Sequence, residues 1–496
     1  MAASVIIVGA GVGGIATAAR LAKAGYQVTV VEKTNNPGGR MSVFEGDGFY
    51  FDTGPSLFLM PPTYAQTYAD LGERMEDHLD LVRLDPTYRI HFHDGSVLDL
   101  TSNVHRMHQQ LEAIEPGAFQ GLMRFLAQGY ERYTVSLERF VGRNFYSLLQ
   151  YFAPANLPLL FQLKPLVSHY RDTSRCFRDS RLRAAFSFQN MYMGLSPYDA
   201  PATYSLLQYT EMVEGVWYPR QGMYAIVNSL TAIAERWGAR FRYDAPVARV
   251  DVEGSRTTGV TLESGEQIKA DIVVVNADLP YAYAELLPDR RKAERLARLK
   301  HTSSTLMFYW GLKGRRAERL HHHSIFLADH RYRESFSQIF DHHLLPDEPS
   351  FYIHSPVRTV PEFAPSDGDA LMVLVPTGHV DRSREQDWPA LQQRARAWVL
   401  GRLAEVGVTD VQERIVFERT LTPPDYRRIW NLSKGATFGL SHNVAQVGYL
   451  RPHNRHARYK NLYFVGASTH PGTGVPIVLL SARLIEERIL KEQGQP

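Results

Sequence analysis

The sequence has one cysteine, Cys176, in 496 residues. An intramolecular disulfide framework, a cysteine-ligated zinc or iron–sulfur centre and a redox-active cysteine pair are therefore excluded. Net charge is nearly absent too: 55 Lys and Arg against 52 Asp and Glu leave +3. No Lys/Arg run is long enough for a nucleic-acid patch, so no nucleic-acid partner is expected. Long hydrophobic runs are missing. No stretch of about 18 uninterrupted apolar residues occurs, so no transmembrane helix is expected. The small, apolar stretch from Ser4 to Gly25 has no basic segment ahead of it. It reads as a strand and helix of the mature fold rather than a signal peptide. What remains is ordinary globular composition, 44% hydrophobic and 22% charged. The length is roughly three domains' worth of chain at about 150 residues each.

The chain opens as strand, glycine turn, helix, strand: Val5–Val8, Gly9–Gly14, Ile15–Ala24 and Gln27–Val31. A βαβ start of this kind argues for a parallel sheet and an α/β class. Residues 102–217 read as largely helical. A helix over 224–237 follows, then short strands at 241–243, 247–252, 259–262 and 268–275. The end returns to a strand at 461–465, a glycine loop and a helix from about 475 to 493. The segment Phe145–Val167 is rich in aromatics and leucine, interrupted by Pro154, Pro158 and Pro165 and flanked by Arg143, Lys164 and Arg171. This composition suits a membrane-surface patch, and the blander reading is a buried helical pair broken by prolines. The histidines at 321–323 have no further ligand cluster near them in sequence. His91-Phe-His93-Asp94-Gly95 reads as a surface hairpin. No metal site is expected.

Gly9-x-Gly11-x-x-Gly14 follows a strand and opens a helix. The first glycine allows the tight turn, the second lets a pyrophosphate approach the backbone, and the third lets helix and strand pack closely. The helix N-terminus favours the anion. Glu32 ends the second strand, where an acid accepts hydrogen bonds from ribose hydroxyls and repels a 2′-phosphate. FAD or NAD is thus favoured over NADP. Pro37-Gly38-Gly39-Arg40 suits a loop wrapping a phosphate-bearing cofactor. Gly466 to Pro476 is a second glycine-rich loop, between a strand and the final helix. Its backbone can pass close to a flat ring, with the helix N-terminus aimed at the flavin pyrimidine edge. A second such site favours FAD over NAD.

Together these segments resemble the phytoene desaturases of carotenoid synthesis, fungal and bacterial type, within the flavin amine-oxidoreductase superfamily. The matching pieces also include Phe51-Asp-Thr-Gly-Pro55, Gly215-Val-Trp-Tyr-Pro-Arg220, Val274-Val-Asn-Ala-Asp278 and Arg451-Pro-His-Asn454. Met191 to Pro201 with Tyr204 to Thr210 is similar to the fungal branch. The resemblance runs in order along nearly the whole chain. Two departures stand out. Gln221-Gly222-Met223 replaces a more glycine-rich run, and Ser147 stands where bacterial relatives can carry an acid.

The resemblance implies a mixed α/β fold. A Rossmann-like FAD-binding domain of the glutathione-reductase/amine-oxidase type (1–70, 220–290, 425–496) would interleave with a substrate domain (71–219, 291–424). Residues 145–167 would be its helical membrane-facing part. FAD would touch Gly9, Gly11, Gly14, Glu32, Gly39, Arg40, Val247, Gly466 and Val475, with His470 on the cofactor side and Trp217 and Tyr218 along the polyene. The implied activity is FAD-dependent insertion of C=C bonds into phytoene. The enzyme would sit peripherally at the cytoplasmic face of a membrane, with oxygen or a quinone as electron acceptor. No catalytic residue stands out, and neither the oligomeric state nor the number of desaturation steps is readable. A C30 desaturase, a ketolase, an isomerase, or a non-enzymatic binder of lipid groups on the same fold are the alternatives.

Overall fold

Val5, Ile6, Ile7 and Val8 are all buried, as a β-branched run inside a parallel sheet requires. The computed structural model, which describes residues 2–315 and 319–495, places them in the strand Ser4–Val8. This strand is the middle of a five-stranded sheet. Gln27–Val31 and Arg240–Arg242 lie on one side, Ile272–Val275 and Leu462–Phe464 on the other, all parallel. The strands come from the start, the middle and the end of the chain. Helix Val12–Lys23 packs between helices Ala225–Arg236 and Val475–Gln493 on one face of the sheet.

The expected strand at 268–275 divides. Gln267–Lys269 joins a three-stranded antiparallel sheet with Val247–Glu253 and Arg256–Leu262, while Ile272–Val275 enters the parallel sheet. Asp271 makes the break. Its carboxylate accepts from the Ser4 backbone N–H at 2.8 Å and from the Ser4 hydroxyl at 2.7 Å.

The second body is a seven-stranded sheet. Its spatial order is Ile415–Leu421, Ser304–Lys313, Gly368–Thr377, Phe351–His354, His323–Phe326, Tyr88–His91, Val97–Leu100. All neighbours are antiparallel except the pair His323–Phe326 and Tyr88–His91. Residues 102–217 cover it mainly with helices, the longest being Ala118–Ser136. In the proline-broken segment, Pro154 and Pro158 each sit in the first turn of a short helix, where a missing N–H costs nothing. The expected hairpin at His91–Gly95 is present between Tyr88–His91 and Val97–Leu100. Among the described residues, no helix is long and apolar enough to cross a membrane.

Candidate active site

The two glycine-rich loops meet on one cavity of about 970 Å³. Its cofactor end is built from backbone. Gly9 takes a φ of +98°, and its N–H donates to Val31 O at 2.8 Å, which turns the chain off the strand. A Cβ on Gly14 would stand 2.1 Å from Gly9 O, so no other residue fits the helix against the turn. The second loop backs onto the first. Gly38 N–H donates to Ala10 O at 2.8 Å, and a Cβ on Gly39 would lie 3.4 Å from the Gly11 Cα. Helix Val12–Lys23 carries no acid in its first turn, so its free N–H groups stay available to an anion.

Glu32 is buried, with its carboxylate already engaged. One oxygen accepts from the Ala10 N–H at 2.7 Å, the other from the N–H and hydroxyl of Thr34, both at 2.9 Å. A carboxylate has about four lone-pair sites, which leaves room for a ribose hydroxyl. Arg40 reaches across to donate to Thr437 O at 2.9 Å. Burial lowers its pKa, and the nearby Asp278 carboxylate opposes that.

Beside the Gly9–Gly14 turn Gly466 and Gly474 have φ of +108° and +103°, and helix Val475–Gln493 begins with Pro476 in its first turn. His470 is held on both sides of its peptide. Its N–H donates to Pro452 O at 3.0 Å, and its ring Nε2 to Arg143 O at 2.9 Å. Burial pushes its pKa down to about 4, so the ring is neutral and serves as a donor that fixes the loop. Arg451 is buried beneath, with its guanidinium on the carbonyls of Thr469, Ser441, Gln446, Leu440 and Ala467. Desolvation lowers its pKa to about 10, which leaves it charged at neutral pH.

Gly9, Gly11, Glu32, Gly39, Arg40, Val247, Gly466, His470 and Val475 all line the cavity. Gly14 stands behind it as the packing glycine. Trp217 and Tyr218 are not brought to it. Tyr218 is buried with its hydroxyl on Asp52 Oδ2 at 2.6 Å, and Trp217 donates its indole N–H to Glu214 O at 2.9 Å. Both lie on the strand Trp217–Pro219, paired with Leu81–Arg83. Aromatic side chains that do line the cavity include Phe188, Tyr192, Tyr332, Phe336, Tyr352 and Trp430.

Two residues at the cofactor end carried no role in the sequence reading. Asn276 Nδ2 donates to Gly9 O at 3.1 Å and sits beside Gly11, Gly13 and Gly466. Asp278 accepts from the Ser433 N–H at 3.0 Å and from the Ser468 hydroxyl, tying the third part of the sheet to the last loop. The signal for both was positional, since they follow the buried strand Ile272–Val275 at its carboxyl end.

Segment Phe145–Val167 has two faces. Tyr151, Leu160, Leu163 and Pro165 line the cavity. Leu149, Phe161 and Leu166 point outward, at 85%, 80% and 87% exposure.

The glycine cradle, the free helix ends and Glu32 fit a dinucleotide, and the Gly466–Val475 loop fits a flat ring beside it. The chain belongs to the flavin containing amine oxidoreductase family, which matches residues 12–490. Within that class it is 47% identical over 488 residues to the zeta-carotene-forming phytoene desaturase of Myxococcus xanthus, covering 98% of this chain and 93% of that one. It is 45% identical over 500 residues to the phytoene desaturase of Phycomyces blakesleeanus, covering 99% and 85%. The solved structure of putrescine oxidase bound to putrescine superposes with a TM-score of 0.65 at 16% identity over 99% of each chain, a likeness of fold. The chain is an FAD-dependent oxidoreductase.

Proposed function

We propose that the chain desaturates phytoene, inserting C=C bonds into the C40 polyene of carotenoid synthesis. One observation carries this reading: a single cavity is lined by the dinucleotide cradle, by aromatic side chains and by residues of a segment whose outer face is apolar. The names and near-full-length identities of the relatives support it. When bound, FAD supplies the hydride acceptor. Making a C=C from CH₂–CH₂ removes one hydride and one proton, and the allylic position stabilises the developing charge. The residues of the chain orient the polyene, exclude water and hold the cofactor loops rigid.

The reading extends to location and organisation. The segment 145–167 lies on the cytoplasmic face of a membrane, with Leu149, Phe161 and Leu166 in the headgroup zone, and admits the substrate directly from lipid. Residues 1–70, 220–290 and 425–496 form the FAD-binding domain, and 71–219 with 291–424 the substrate domain. Each of the five parallel strands falls in the first group. Oxygen or a membrane quinone takes up the electrons.

The test is expression in a host that accumulates phytoene, with pigment extraction and flavin content measured together. Coloured product from flavin-loaded protein is expected. Colourless phytoene left intact by protein shown to carry FAD would overturn the reading. Supplying a C30 substrate in parallel separates the C40 and C30 activities.

A further inference from the structure

At one end of the seven-stranded sheet, three neighbouring strands finish together. Phe326 pairs with His91 on one side and with Phe351 on the other. The chain just beyond that shared end contributes His93 after Tyr88–His91, His330 after His323–Phe326, and Glu348 ahead of Phe351–His354. Their ligand atoms lie within 4.8 Å of one another. His330 Nε2 is 2.9 Å from Glu348 Oε2, and the rings of His93 and His330 stack with centroids 3.6 Å apart. None of the three is fully buried.

We propose that His93, His330 and Glu348 bind a divalent transition-metal ion of the zinc, cobalt or nickel class. Two imidazoles and one carboxylate form a borderline-soft donor set, which selects these ions over magnesium or calcium. Donor atoms about 2.1 Å from a tetrahedral ion stand about 3.4 Å apart, so the separations of up to 4.8 Å close by rotation of these incompletely buried side chains. Water completes the coordination on the open side. The supports are already in place. Asp329 Oδ1 accepts from the His93 backbone N–H at 2.8 Å, and Arg331 donates to Glu348 Oε1 at 3.3 Å, which orients the carboxylate.

The site would staple three strand ends that also carry the cavity wall. Leu327 and Tyr332 flank His330, and Ser350 and Phe351 follow Glu348, and all four line the cavity. A bound ion therefore stiffens the wall from its outer side. This rests on geometry alone and is independent of the substrate assignment.

The experiment uses the full, flavin-loaded chain without a polyhistidine tag, stripped with a chelator. Zinc is titrated calorimetrically, and cobalt is followed by its visible absorbance. One equivalent of ion is expected, with a rise in Tm. His93→Gln and His330→Gln should each weaken binding by at least about tenfold, while His105→Gln, at an exposed site elsewhere, should leave it unchanged. Flavin absorbance and Tm in the absence of metal verify that each variant is folded. Absence of a stoichiometric site at about 100 μM ion, or a site that survives both substitutions, would overturn the proposal.

Discussion

Glu32 serves two neighbours with one carboxylate. It accepts from the Ala10 N–H inside the glycine turn, and it faces the cavity where a ribose would lie. Glu32→Arg removes a charged acceptor and leaves a buried N–H unpaired. Charge-assisted hydrogen bonds contribute about 1.5–3 kcal/mol each, so FAD should bind about 10- to 100-fold more weakly. Flavin retained after dialysis checks this, and unchanged retention would count against the ribose assignment. Glu211 is a different case. It is buried with neutral partners, Tyr88 at 3.1 Å and Gln189 at 3.2 Å. Desolvation raises its pKa to about 8, against the lowering effect of those hydrogen bonds. Between the ordinary glutamate value of about 4.3 and this raised one, the unfolded chain releases a proton that the native chain keeps. Stability from this residue therefore falls as pH rises through that window. Glu211→Gln should leave Tm near wild type at about pH 5 and raise it at about pH 8.5. Thermal melts at the two values decide it, since a gap independent of pH would show that Glu211 does not titrate in this range.

At the scale of elements, the proline-broken segment is the part most open to test. Its composition left a membrane-surface patch and a buried helical pair as the two readings, and the structure gives the segment a cavity-lining face and an exposed apolar face. Leu160 lines the cavity, while Leu149, Phe161 and Leu166 are exposed. Changing those three outer residues to Ser should lower liposome binding by well over tenfold, because burying one such side chain contributes about 1.5–3 kcal/mol. Flavin content should not change. Undiminished binding to vesicles would remove the segment from the membrane reading. The βαβ opening, helix Ala225–Arg236 and the final helix were legible because their periodicity and glycines are local signals. The direction of Trp217 and Tyr218 was not. A short strand turns its side chains according to its partner, and the partner Leu81–Arg83 lies more than a hundred residues away. The meeting of His93, His330 and Glu348 escaped for the same reason, since strand order sets it and no spacing in sequence records it.

For the whole molecule, two glycine-rich sites hundreds of residues apart pointed to an interleaved chain around one cofactor. The order of the seven-stranded sheet and the polar cost of the molecule's interior became visible only in the fold. That cost is carried largely by histidine. Burial pushes His91, His169, His379, His456 and His470 down to about 4, and His301 and His354 to about 3. His322, His323 and His442 are also held well below the ordinary imidazole value, chiefly by burial. In the unfolded chain each returns to about 6.5. Below that value the unfolded state binds protons that the native state refuses, so stability is lost as pH falls from about 6.5 towards 4. Raised acids work the other way: Glu211, Asp52, Asp278, Glu214 and Glu487 release protons on unfolding. The histidines outnumber them, so denaturation at about pH 5.5 should take up several protons per chain. Mixing the flavoprotein into unbuffered guanidinium and back-titrating measures that uptake directly and needs no reversible unfolding. Uptake should shrink towards zero by about pH 7.5, where free histidine is mostly neutral. Zero uptake or net release at the lower pH would mean that the buried rings are already charged in the native protein.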